Sequence, residues 1–139
     1  MIYRNILVAI DGSSESRAAL DHATELAREQ HALLTLITVV PPVAATAAAG
    51  SAQVLPLQEQ CFQDTLDEAA AAVPQDVGLV RILARGKPSR EIADRLADGD
   101  FDLVVMGTHG RGRVGEAMLG SVSREVIHRA HTPVLLVRG

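Results

Sequence analysis

Between Gly107 and Ser123 the chain reads GTHGRGRVGEAMLGSVS, a run in which glycines, arginines and hydroxyl side chains follow directly on the apolar FDLVVM. Glycine at 107 and again at 110 lets a backbone turn tightly and approach a ligand with no Cβ in the way. Gly120, Ser121, Val122 and Ser123 stand where a helix would open. The first N–H groups of a helix have no acceptor within it and carry partial positive charge, which makes them a seat for phosphate. A helix dipole alone contributes only about 0.3–1 kcal/mol. Firm binding therefore needs several amides, the Ser121 and Ser123 hydroxyls and a cation acting together. Arg111 and Arg113, between the glycines, either reach such an anion or remain solvated loop charge.

Other residues that could do chemistry are less pointed. His22 and His31 fall on or just after the first helix, and His128 and His131 near the end of the last, where a cation suits the dipole; all four read as structural. His109, between Gly107 and Gly110, is the exception and is open to contact with a ligand. Asp98, Asp100 and Asp102 alternate around a glycine and read as a polar turn. No carboxylate pair or Ser/His/Asp order forms a catalytic constellation. Ser121 and Ser123 have no base placed beside them, so they read as donors rather than nucleophiles.

Positioning these residues falls to a chain of 139 residues with 47% hydrophobic content, enough for one domain, residues 1–139, with a buried core. The single cysteine, Cys61, cannot form an internal disulfide, and no metal-binding spacing accompanies it; it reads as packing, and a cytoplasmic location is expected. The apolar run before Asp11 is too short for a signal peptide or a membrane span. A net charge of −4 and aromatics limited to Tyr3, Phe62 and Phe101 argue against nucleic-acid binding.

Hydrophobic periodicity predicts alternating strands and helices. Asn5–Ile10 suits a strand buried on both faces, and Ala19, Ala23, Leu26 and Ala27 mark a helix capped by Ser13 or Ser14 with Glu15 in its first turn. Leu33–Val40 is a second strand, stopped by Pro41 and Pro42, and Val43–Ala49 an Ala-rich loop. Phe62, Leu66, Ala69, Ala70 and Val73 keep helical spacing, followed by a strand over Val77–Leu83. A short helix after Gly86-Lys87-Pro88 carries Ile92, Ala93 and Leu96, with Pro88 in its first turn. Asp102–Met106 is the fourth strand, Met118, Val122, Val126 and Ala130 the stripe of a last helix, and Pro133–Arg138 the fifth strand. The pattern implies an α/β layered domain on a mainly parallel sheet. If the sheet winds both ways from its first strand, that strand lies beside the fourth. A ligand crevice then opens between Asp11 and Gly107.

The ordered set NILVAIDGS, VV-Pro, GKPSREI, DLVVMGTHG, LGSVSREVIHRA and PVLLVR, with Gly107-x2-Gly110-x9-Gly120-Ser121 at its centre, resembles the universal stress protein family, in particular its ATP-binding branch. The resemblance covers the whole chain and implies a Rossmann-like α/β fold, an open five-stranded parallel sheet of order 3-2-1-4-5 with helices on both faces. It further implies ATP in the crevice: adenine near Val39, Val40 and Met106, ribose near Gly107, and phosphates on Gly110, Gly120, Ser121, Val122 and Ser123. Asp11 belongs to the same pocket, and His109 would face the nucleotide. The missing Walker lysine motif counts only against a P-loop, since the family does not use one. Pairing of the last strand with a copy of itself, which would cover an apolar sheet edge, implies a homodimer.

Asp11 needs a reason to stand beside a triphosphate. A ribose hydroxyl or a bridging Mg²⁺, which prefers oxygen ligands and keeps waters, would supply one; the competing role is a cap for the helix starting near Ser13. The functional expectation is an ATP-binding stress-response module acting through homodimerisation and partner binding, with no nucleic acid and no membrane. Two alternatives stand beside it: a slow metal-dependent ATP hydrolase using Asp11, and a dimeric scaffold that binds no nucleotide.

Overall fold

The computed structural model describes residues 2–42, 54–109 and 119–139. In chain order they form β1 (Asn5–Ala9), α1 (Ser14–Gln30), β2 (Leu33–Val40), α2 (Val54–Ala71), β3 (Leu79–Arg85), α3 (Pro88–Asp98), β4 (Leu103–Gly107), α4 (Ser121–Arg129) and β5 (Val134–Val137). The Ala-rich loop and Gly110, Arg111, Arg113 and Met118 lie outside the described residues.

The strands build one five-stranded sheet of order β3-β2-β1-β4-β5. Every neighbouring pair is parallel, with Ile6 opposite both Leu34 and Leu103, and Val104 opposite Val134. The chain winds outward from β1 through β2 to β3, then returns to lay β4 on the other side of β1. That reversal is what the sequence reading assumed.

Side chains alternate across each strand, so the sheet carries two cores. On one face Ile6, Val8, Leu34, Leu36, Leu103 and Val105 pack under α1 and α2 through Ala19, Ala23, Leu66 and Ala70. On the other, Leu7, Ile37, Val39, Val104 and Met106 meet Ile92 and Leu96 of α3 and Val126 of α4. The inward row of α1 is largely alanine, which allows the helix to lie close to the central strands. Its far end closes with His31 in the left-handed region, φ 55°.

Some element limits differ from expectation. β3 begins two residues later than the apolar pattern suggests, because the Val77 N–H bonds back to the Pro74 carbonyl in a turn and the Gly78 carbonyl accepts from the Leu34 N–H. β3 also runs on to Arg85, since an edge strand tolerates charge. Asp102 stands just before β4. Its Oδ2 accepts the Arg4 N–H at 2.6 Å and the Asn5 N–H at 2.9 Å, so a residue read as part of a polar turn caps the start of β1.

Candidate functional site

At the carboxyl ends of β1 and β4, where the winding reverses, the fold leaves a cavity of about 370 Å³. Its lining combines apolar residues, Ile37, Val39, Ile92, Met106 and Val122 with Pro88 and Phe62, and polar or glycine residues, Asp11, Ser16, Gly107, His109, Gly120, Ser121 and Ser123. Of the residues read from sequence, the fold gathers Asp11, Val39, Met106, Gly107, His109, Gly120, Ser121, Val122 and Ser123 around this space. Val40 is buried but is not among the lining residues, because alternation along β2 turns it away from the Ile37 and Val39 row. Gly110 lies outside the described residues.

The β1–α1 corner is filled by its own side chains. Asp11 Oδ1 accepts the Ser13 N–H at 2.9 Å, Ser13 Oγ accepts the Ser16 N–H at 3.1 Å, and Ser16 Oγ donates to the Ser13 carbonyl at 3.1 Å. Asp11 is thus part of the turn that starts α1, through one of its two oxygens, while still bordering the cavity. Among the described residues no group of three or more His, Cys, Asp or Glu is placed to hold a metal. A cation at Asp11 therefore fits only if ligand oxygens complete its shell.

The start of α4 is built differently. Gly120 occupies the N-cap with extended backbone, no side chain among the described residues caps the first turn, and no acidic residue lies in it. Among the described residues the amides of Ser121, Val122 and Ser123 donate to no backbone carbonyl. The Gly120 N–H, by contrast, donates to the Thr108 carbonyl at 2.7 Å. The Ser123 hydroxyl lies 3.0 Å from the same carbonyl and 3.1 Å from that of Gly120, both as acceptors. Ser123 is buried, so its hydroxyl serves the loop closure while Ser121 stays exposed. Where α3 packs on α4, a hydrogen bond from Ser89 holds the Glu125 carboxyl below the usual range, with Lys87 adding a smaller pull.

Glu15 is the residue sequence reasoning missed. It is only 4% exposed. Its Oε2 accepts the Thr108 hydroxyl at 2.8 Å and the His109 N–H at 2.9 Å, and lies 3.1 Å from His109 Nδ1. With Glu15 ionised, Nδ1 must carry the hydrogen, because a carboxylate only accepts. Gly107 is explained by the same packing: a Cβ there would come within 2.7 Å of the Glu15 Cβ. The missing side chain at 107 is thus required by the first turn of α1, a reason independent of any ligand. A first-turn acid looks like a dipole partner in the sequence, and nothing links it to a histidine 94 residues away.

The universal stress protein family model matches residues 2–138. The chain belongs to the universal stress protein family. Universal stress protein YxiE of Bacillus subtilis is 32% identical over 149 residues, spanning 99% of this chain and 100% of that one. The solved structure of hypothetical protein MJ0577 superposes with a TM-score of 0.89 at 23% identity, covering 100% of this chain and 98% of that chain, a likeness of fold. A universal stress protein crystallised in complex with cAMP is 28% identical, with a TM-score of 0.67 and coverage of 99% of this chain and 98% of that chain. Among the described residues of this universal stress protein domain, no helix is long and apolar enough to cross a membrane.

Proposed function

We propose that this universal stress protein binds an adenine nucleotide in the β1/β4 crevice, with ATP and Mg²⁺ as its ligands, and acts in the cytoplasm as a nucleotide-dependent stress-response module. The observation that carries the reading is the start of α4, which has no side-chain cap among the described residues and borders a cavity that is also lined by apolar side chains. An apolar flat base and a polyanionic tail match those two kinds of lining. The cAMP complex of a 28% identical relative supports the adenine half of the match.

In this reading Val39 and Met106 flank the base with Val40 behind them. Gly107 borders the ribose. The amides of Ser121, Val122 and Ser123 take phosphate oxygens, together with Gly110 and Gly120 of the signature. His109 borders the ligand. Asp11 meets a ribose hydroxyl or shares Mg²⁺ with the phosphates, the ion supplying charge neutralisation between carboxylate and phosphate. β5 pairs with its copy to form a homodimer, through which nucleotide state reaches protein partners; nucleic acid and membrane are not among them.

The test is mass spectrometry of small molecules released from freshly purified protein, followed by calorimetric titration with Mg-ATP. Retained adenine nucleotide, or a dissociation constant on the order of micromolar, is the expected result. No binding at millimolar Mg-ATP overturns the reading.

A further inference from the structure

Glu15 is absent from the cavity lining, yet its Oε2 is tied to the edge of the site through Thr108 and the lining residue His109. A buried carboxylate is tolerated where donors surround it. Here Thr108 and His109, which stand directly before Gly110, converge on its Oε2. The connection continues from there. The Thr108 carbonyl accepts the Gly120 N–H and lies within reach of the Ser123 hydroxyl, while the Thr108 N–H donates to the Val137 carbonyl at 3.1 Å. A chain of hydrogen bonds therefore runs from the first turn of α1, through Thr108, to the first turn of α4 and the end of β5.

We infer that Glu15 is a positioning residue for the nucleotide site: it fixes the Thr108–His109 corner and thereby sets where the α4 amides point. This inference rests on the nucleotide reading above. Packing at Gly107 keeps the Glu15 backbone in register with β4, so the carboxylate has little freedom to settle elsewhere. Replacing it with a side chain that accepts nothing leaves the Thr108 and His109 donors without their acceptor, and the corner relaxes.

The experiment compares Glu15→Ala, Glu15→Gln, Thr108→Val and Ser13→Ala with the unaltered protein. Three quantities are read: Mg-ATP affinity by calorimetry, melting temperature, and amide hydrogen exchange without ligand at Thr108, His109 and Ser121–Ser123. Glu15→Ala should weaken Mg-ATP binding roughly tenfold. Glu15→Gln, whose amide oxygen still accepts, should bind within about threefold of the unaltered protein, and Thr108→Val, which removes one donor, should fall between. Ser13→Ala loses the α1 cap and some stability but should keep its affinity, which separates positioning from general destabilisation.

Unaltered affinity in Glu15→Ala, or an equal loss in Ser13→Ala, overturns the inference. Should Glu15→Ala fail to fold, Thr108→Val with Glu15→Gln decides it by the same criteria. If the unaltered protein binds no Mg-ATP, the nucleotide reading falls, and exchange judges the positioning separately. Faster exchange at these amides in Glu15→Ala but not Ser13→Ala supports it; unchanged exchange refutes it.

Discussion

Helices α1 and α4 both begin at the same crevice, and they treat their first amides in opposite ways. At α1 the chain supplies its own acceptors: Ser13 Oγ takes the Ser16 N–H, Asp11 takes the Ser13 N–H, and Glu15 lies in the first turn. At α4 a glycine holds the N-cap and, among the described residues, no side chain closes the turn. The same partial positive charge exists at both starts. Only the second is left for something outside the described protein atoms to neutralise. A helix start becomes an anion site where the chain withholds its own oxygens, which is a property of a few residues rather than of the fold.

The most severe way to break this contrast is to give α4 what α1 already has. Gly120→Asp places a carboxylate at the N-cap, and losing two charge-assisted bonds at ~1.5–3 kcal/mol each should lower Mg-ATP affinity by about two orders of magnitude or more in calorimetry. Gly120→Ala, with no charge, should retain most of the affinity. A milder probe changes the ligand. If the α4 amides hold phosphate, affinity should fall from ATP to AMP by roughly tenfold in parallel titrations; equal affinities would place the energy at the base instead.

Removing the α1 cap tests the other side. Ser13→Ala should lower unfolding free energy by about 1 kcal/mol, measured by denaturant titration, with nucleotide affinity unchanged. The smallest effect concerns Asp102, which caps β1 much as Asp11 and Ser13 cap α1. The Arg4 N–H, and next that of Asn5, holds its carboxyl below the ordinary range. Its contribution is therefore in place above the unfolded pKa and is lost as pH falls through the folded one. Asp102→Asn should flatten that acidic part of the melting-temperature profile, by less than the other changes because solvent screens the site.

The sheet edges show a second contrast. β3 presents Arg81 and Arg85, which pair with Asp67 and Glu59 of α2. β5 presents Val134, Leu135, Leu136 and Val137 with no charge among them. Charged edge residues discourage pairing with another strand. β3 is guarded in this way and β5 is not, which is why the proposed homodimer is assigned to β5.

What was legible in the sequence follows the physics of each element. Strands buried on both faces, such as Ile6–Val8 and Val104–Met106, read as continuous apolar runs. Edge strand β3, with its arginines, was misplaced by two residues because periodicity weakens where one side meets water. The resemblance carried the strand order and the gathering of Asp11, Met106 and Gly107, neither of which spacing alone supplies. Contacts made by one side chain across the fold left no trace. Glu15 looked like a dipole partner, Asp102 like turn polarity, and the Ser123 hydroxyl like a ligand donor, although it spends its hydrogen inside the loop.

The bond between the Gly120 N–H and the Thr108 carbonyl pins the end of β4 to the start of α4, so the two ends between which the intervening residues are inserted are held together. Doubling the length of such a span adds only about 0.6 kcal/mol of closure entropy. Changes of length between those two ends should therefore cost little stability, whereas a substitution at Gly110 would still touch the proposed phosphate site.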